Sequence, residues 1–463
     1  MKCNPVILIV LIMAGVIISS CTNKSFNEEN KSKPNIVFIL IENISTEWSC
    51  YGSTDLYTPN IDNLANEGVL FTQAFTTSSV CAPSRAAMMT GAYQIKTNTQ
   101  NLRMNRDRKL PPPYRAITHY FRQGGYFTAL ACGYSKKTDI NFSPQEGKVF
   151  GFDGDDWNER EVGQPFFAQI TLDITHRGDH WFTEDPQIDP VKIKLPPEIP
   201  DHEVCRDDYA RYLTQIQKMD IQVAEILNRL EEEGLKKNTV VILMGDNGRD
   251  LYRGMDWLYD AGIHVPLVIR WPGVLSPGTK NNELISSLDI IASILQIAGI
   301  EIPEHFDGYP LFGKEVVKRD YIFAARDRVD EAVDRIRCVR TKQFKYIRNY
   351  MPEKGYYEKR WAVVNNPANN VAKKLYAEGK LTPIQVIHMA EVKPEEELYD
   401  LRNDPHEFKN LAEDPEYRPV LESLRKVMDE WILETGDTGQ FPEKKEDVLE
   451  TQWFDYEEVY GSD

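Results

Sequence analysis

Three short runs of apolar, largely β-branched residues constrain the fold of this chain more than any other feature. Asn35 to Leu40 (NIVFIL), Phe166 to Leu172 (FFAQITL) and Val240 to Met244 (VVILM) are apolar almost throughout. A strand of this kind is buried on both faces, as in parallel sheets covered by helices on either side. Helical patterns separate the runs, as that architecture requires. Tyr57 to Ala74 holds a helix start at Thr58-Pro59, with Ile61, Leu64 and Ala65 at helical spacing. Asp207 to Glu233 carries Tyr212, Ile216, Met219, Val223 and Leu227 on one stripe. With Tyr126 to Ala131 as a further strand, the alternation predicts an α/β domain on a large, mostly parallel sheet flanked by helices. Beyond Pro310 the texture changes. Tyr321 to Ala325 and Ile336 to Tyr350 read as short strands joined by turns, and Tyr417 to Glu434 as one terminal helix. A smaller C-terminal α+β domain is expected there.

The amino terminus reads as an export signal. Lys2 precedes an unbroken apolar run of 13 residues, Val6 to Ile18. A membrane span takes roughly 20 residues, so the run suits a secretory h-region. It ends in Ser19-Ser20-Cys21, which resembles the lipobox of bacterial lipoproteins, where cleavage precedes a lipidated cysteine. The other reading is ordinary cleavage near Ser20, leaving Cys21 free. The lipobox implies an exported bacterial lipoprotein, periplasmic or at the cell surface, held to the outer membrane through Cys21. The expected organisation is a signal peptide at 1–20, a polar tether at 21–33, a catalytic domain at 34–315, an α+β subdomain at 316–440 and an acidic tail at 441–463.

A net charge of -17 excludes nucleic acid as a partner, because phosphate would be repelled. An anionic substrate must instead be held by a local cluster of Arg, Lys or metal. Cys50, Cys132, Cys205 and Cys338 show no CxxC spacing and are expected to be free thiols.

Parallel strands present catalytic groups at their carboxyl ends. Glu42-Asn43, His176 and Asp246-Asn247 each follow a predicted strand. Singly, each is better read as a cap or turn residue; three at equivalent positions point to a site. The acidic and amide oxygens suit a hard cation such as Ca2+ or Mg2+ rather than zinc. A separate run, Ser78 to Gly91 (SSVCAPSRAAMMTG), places Cys81 at a helix start, with Pro83 in the first turn and Arg85 nearby. A helix N-terminus favours an anion. Read alone, Cys81 is either a thiolate nucleophile or a small buried residue.

The run CAPSRAAMMTG resembles the sulfatase motif C-x-P-x-R followed by a small-residue helix and Thr-Gly. PNIVFILIEN, TPNIDNLANEGVLFTQAF, MGDNG with LYDAGIHVPLVIRWPG, and ELYDLRNDPHEFKNLAED are similar to further family segments, in order. The resemblance implies the alkaline phosphatase-like sulfatase fold. It also implies that a formylglycine-generating maturation enzyme oxidises Cys81 to formylglycine, whose hydrate attacks sulfur. A divalent cation, commonly Ca2+, would polarise the sulfate oxygens. By that resemblance Arg85 steadies residue 81, and Glu42, Asn43, Asp246 and Asn247 hold the metal together with residue 81. Lys137 binds sulfate, with Lys136 one residue away as the other candidate, and His176 contacts the sulfate or the leaving oxygen.

This chain departs from the family at several positions. Thr138-Asp139 stands where many members have Trp-His, and Asn43 where many have a second acid. Met255 falls where many have a sulfate-binding lysine, so Arg253 or Arg249 is expected to supply that charge. His180 is read as a substrate contact or an exposed loop residue, and His264 as structural. The basic run Arg103, Arg106, Arg108 and Lys109 is read as solvated surface, with receipt of a polyanionic glycan as the alternative. The sequence thus points to a sulfatase acting on a sulfated carbohydrate, through O- or N-sulfate. The alternatives are a catalytically weakened sulfoglycan-binding lipoprotein and, on the same fold, a phosphatase, for which the paired zinc ligands are missing.

Overall fold

The central strand is buried at every position and divides its side chains between two cores. Val37, Ile39 and Ile41 enter one apolar cluster, whereas Ile36, Phe38 and Leu40 enter another. This two-sided burial is what the continuous apolar run encodes, each such side chain contributing roughly 1.5–3 kcal/mol. The computed structural model describes residues 33–313, 316–357, 363, 365–439, 443–451 and 454–461. The expected signal peptide, Cys21 and all of the tether but Lys33 lie outside the described residues.

In chain order the large sheet comprises β1 (Asn35–Ile41), β2 (Val69–Phe75), β3 (Phe127–Leu130), β4 (Phe166–Leu172), β5 (Thr239–Gly245), β6 (His264–Arg270), β7 (Thr279–Asn281) and β8 (Ile285–Ser286). Its spatial order is β3-β4-β1-β5-β6-β2-β7, with β8 also paired to β2. The β3-β4-β1-β5 half is parallel, whereas β6 runs antiparallel to both β5 and β2. Helices α1 (Pro59–Glu67), α2 (Cys81–Thr90), α3 (Ile117–Gln123), α4 (Glu203–Glu232), α5 (Asp260–Ile263) and α6 (Ser287–Ile297) complete this part. The α4 stripe Tyr212, Ile216, Met219 and Val223 covers one face with Ile61 and Leu64 of α1. Met88, Phe121, Ile290 and Ile294, from α2, α3 and α6, cover the other.

A second sheet is an antiparallel meander of β9 (Ile322–Arg326), β10 (Ile336–Arg340), β11 (Phe344–Asn349) and β12 (Glu396–Asp400). The helix Arg418–Thr435 lays Leu421, Leu424, Met428 and Trp431 against Val339, Tyr346 and Leu398, and a short further helix, Tyr456–Tyr460, follows it. The described part of the acidic tail is docked. Val448 bridges to Met104, and Phe454 is buried. Cys50, Cys81, Cys132, Cys205 and Cys338 are free thiols.

Candidate active site

Strand register builds the site. Ile41 lies opposite both Leu172 of β4 and Gly245 of β5. The chain therefore leaves three neighbouring parallel strands at one level, and the next residues are Glu42, Asp173 and Asp246. The two turns are zipped together. The Asn43 amide donates to Asp246 Oδ1 at 3.1 Å, and Asn247 Nδ2 donates to Asn43 Oδ1 at 3.1 Å. Asn43 sits at φ 50°, a left-handed conformation that Asn tolerates better than most residues.

Helix α2 enters this edge with its first turn. Ser84 Oγ donates to the Asp246 carbonyl. The buried Arg85 guanidinium reaches three groups: Asp246 Oδ2 at 2.7 Å, Glu42 Oε1 at 3.1 Å and Thr171 Oγ1 at 3.0 Å. It thereby joins the ends of β1, β4 and β5. On the other side of Glu42, Lys137 Nζ donates to Oε2 at 2.8 Å and lies 3.9 Å from Asp139. Burial works against the Lys137 charge, but the negative groups around it prevail and its pKa is raised. Glu42 moves the opposite way. Burial raises its pKa despite Arg85 and Lys137, so its negative charge is under-compensated.

Cys81 opens α2, packed among Val80, Ala82, Leu102, Met255 and Val329. Burial, then the neighbouring Asp139 charge, raises its pKa well above the ordinary thiol value. Burial opposes the Asp139 charge, yet Lys137 and Arg85 hold its pKa low. His176 lies in the turn after β4, half-buried and within electrostatic reach of Glu42.

The oxygens here fit a hard divalent cation. Two carboxylates stand beside two asparagines, and Asn247 Oδ1 is buried without a hydrogen-bond partner among the described residues. Among the described residues no three His, Cys, Asp or Glu side chains form a metal group, because two of the four candidates are amides.

Four residues named from the sequence have other partners, and His180 is the exposed residue that one of its two readings expected. Lys136 is largely exposed and pairs with Asp155. His180 Nε2 turns back to the Ile174 carbonyl at 2.9 Å. Arg253 is buried against the Tyr259 ring, 3.6 Å from its centroid, and bonds the Glu407 carbonyl at 2.6 Å. Arg249 is likewise committed to Glu47 and Glu198. Neither arginine supplies the charge absent at Met255, which packs with Cys81 itself. Sequence reasoning missed Thr171, which also donates to the Lys137 carbonyl at 3.0 Å. Its signal was a hydroxyl at the carboxyl end of an otherwise apolar strand. His264 is structural, stacked on Phe75 and bonded to the Thr72 carbonyl.

Comparison with known proteins accords with this geometry. A family model described as Sulfatase matches residues 34–154 and 153–300. A second, described as N-sulphoglucosamine sulphohydrolase, C-terminal, matches residues 252–385. An ulvan-active sulfatase of Formosa agariphila is 35% identical, over 89% of this chain and 77% of that protein. The human N-sulphoglucosamine sulphohydrolase is 24% identical, over 87% of this chain and 90% of the relative. A solved structure in complex with its substrate D-glucosamine-2-N,6-O-disulfate shares the fold, with a TM-score of 0.63, 18% identity, and coverage of 88% of this chain and 99% of that one. The chain belongs to the sulfatase family, whose members work with a formylglycine and a divalent metal.

Proposed function

We propose that this sulfatase removes sulfate from a sulfated polysaccharide or its oligosaccharides, with Cys81 matured to formylglycine. The observation that carries the reading is Arg85, buried four residues into the helix that Cys81 opens and bonded to both Glu42 and Asp246. One side chain thus ties the position to be modified to the candidate metal carboxylates. The relatives named above act on sulfated saccharides by their names, which supports a carbohydrate substrate and leaves both O- and N-sulfate open. The non-catalytic alternative gains no support, since those relatives are enzymes.

In this reading Glu42, Asn43, Asp246 and Asn247 hold Ca2+, with residue 81 beside them and Mg2+ as a lesser fit. When present, the hydrated aldehyde supplies a hydroxyl nucleophile and the cation a Lewis acid for the sulfate oxygens. This chain's own residues do the rest. Arg85 fixes the first turn of α2 against the strand ends. Lys137 and His176 hold the sulfate, and His176 offers a proton to the leaving oxygen. A formylglycine-generating enzyme is the required maturation partner. Export as a lipoprotein anchored through Cys21, at an outer membrane where imported glycans arrive, is part of the same proposal.

Sulfate release from a panel of sulfated saccharides, with and without a chelator, tests it. Release that the chelator abolishes and Ca2+ restores is expected. No release from any saccharide by fully matured protein would overturn it.

A further inference from the structure

The basic run Arg103 to Lys109 is divided by the fold. Arg103 pairs with Asp330 at 2.7 Å. Arg108 pairs with Asp447 at 3.1 Å and bonds the Asn98 carbonyl. Lys109 faces solvent. Arg106 turns to Asp139 at the active site, where Nη2 lies 3.1 Å from Oδ1. Asp139 is a charged neighbour of Cys81 and lies 3.9 Å from Lys137. The guanidinium is therefore one carboxylate away from the nucleophile position, yet its side chain remains 54% exposed. Among the described residues its other N–H groups have no partner.

The loop that carries Arg106 is held from both sides. Leu102 packs on Cys81, and its amide donates to the Arg328 carbonyl at 2.9 Å. From the tail, the Asp447 carbonyl takes the Asn105 amide at 2.7 Å, the Glu446 carbonyl takes Asn105 Nδ2 at 3.0 Å, and Val448 bridges Met104. A long cation that is fixed at its backbone and anchored on one edge loses little entropy on binding a second anion. Its open fork suits a carboxylate or sulfate oxygen pair.

We propose that Arg106 is a specificity residue, binding a second anionic substituent of the saccharide at the mouth of the site. The inference rests on the sulfatase reading and adds to it that the preferred substrate carries two anionic groups. Because Asp139 stands between Arg106 and Cys81, the group bound is not the sulfate being removed. It is a carboxylate or a further sulfate on the same or the adjoining sugar.

Three disaccharides test this: one monosulfated, the same with a second sulfate, and the same with a uronate carboxylate. Turnover by wild type, Arg106→Gln, Arg106→Lys and Lys109→Gln is measured. Binding to each in a Cys81→Ala background is measured by calorimetry. Arg106→Gln should raise KM and Kd for at least one doubly anionic ligand by about tenfold, the scale of a lost charge-assisted hydrogen-bond pair. For the monosulfated ligand the change should stay within about twofold, with Arg106→Lys intermediate and Lys109→Gln at wild-type values. Which doubly anionic ligand responds names the group. Equal effects on all three ligands, or none, would overturn the proposal. If wild type releases no sulfate but the calorimetric difference holds, the sulfatase reading fails and the anion site stands.

Discussion

Two clusters of buried charge lie in this protein, and they are finished differently. Beside the second sheet, Asp260 is held by Lys345 at 2.6 Å and Arg340 at 2.9 Å, and Lys345 also reaches Glu407 at 2.7 Å. Burial opposes the Asp260 charge, but Arg340 and Lys345 overcome it and hold its carboxyl far below the usual range. At the edge of the large sheet, Glu42 also has two cations, yet burial wins and its pKa rises. The neighbouring Asn247 Oδ1, Ser78 Oγ and Ser79 Oγ are buried and unpartnered among the described residues. Burial of charge does not by itself mark a functional site. Glu407 in the second cluster is likewise raised by burial, so what sets Glu42 apart is its place at the carboxyl ends of three parallel strands, beside asparagine oxygens that suit a cation.

The largest effect should come from Arg85→Ala. It leaves buried Asp246 without its cation and Glu42 with Lys137 alone, costing about 3–5 kcal/mol in denaturant unfolding. Sulfate release should fall on the order of 10²–10³-fold in the fraction that stays folded, the scale of lost transition-state positioning. Lys345→Met should cost a similar 3–5 kcal/mol while leaving turnover per folded molecule within about twofold. A parallel loss of turnover there would break the contrast between the clusters.

His264 borders the second cluster, and burial depresses its pKa to about 4. A histidine depressed on folding is fully stabilising above its unfolded value of ~6.5, and that stability drains as pH falls from there towards 4. Urea unfolding should lose about 2 kcal/mol between pH 7 and pH 5, and His264→Asn should remove that loss. The smallest effect sharpens the first cluster. Asn43→Asp adds a third carboxylate at a left-handed position that Asp also tolerates, and should tighten Ca2+ binding by about tenfold in calorimetry.

What the sequence revealed follows from which forces act locally. The strands β1, β4 and β5 were legible because burial on both faces leaves no polar position to mask the run. The start of α2 was legible from Pro83. The 41–172–245 register was not, since pairing of strands far apart in sequence leaves no local trace. The choice between Lys136 and Lys137 turned on a one-residue offset that directs one to Asp155 and the other to Glu42. Arg253 and Arg249 look available in the sequence because Glu407, Glu47 and Glu198 lie far along the chain. Composition alone describes the tail as acidic; the packing of Val448 and Phe454 shows that its described part is docked.

In the proposed reaction residue 81 works as a modified side chain, at the start of the helix whose Arg85 binds both Glu42 and Asp246. Mass spectrometry of the peptide carrying Cys81, from protein made in its native host, tests that most directly. An aldehyde or its hydrate at position 81 is expected. A peptide found wholly as the unmodified thiol, in a preparation that releases sulfate, would contradict it.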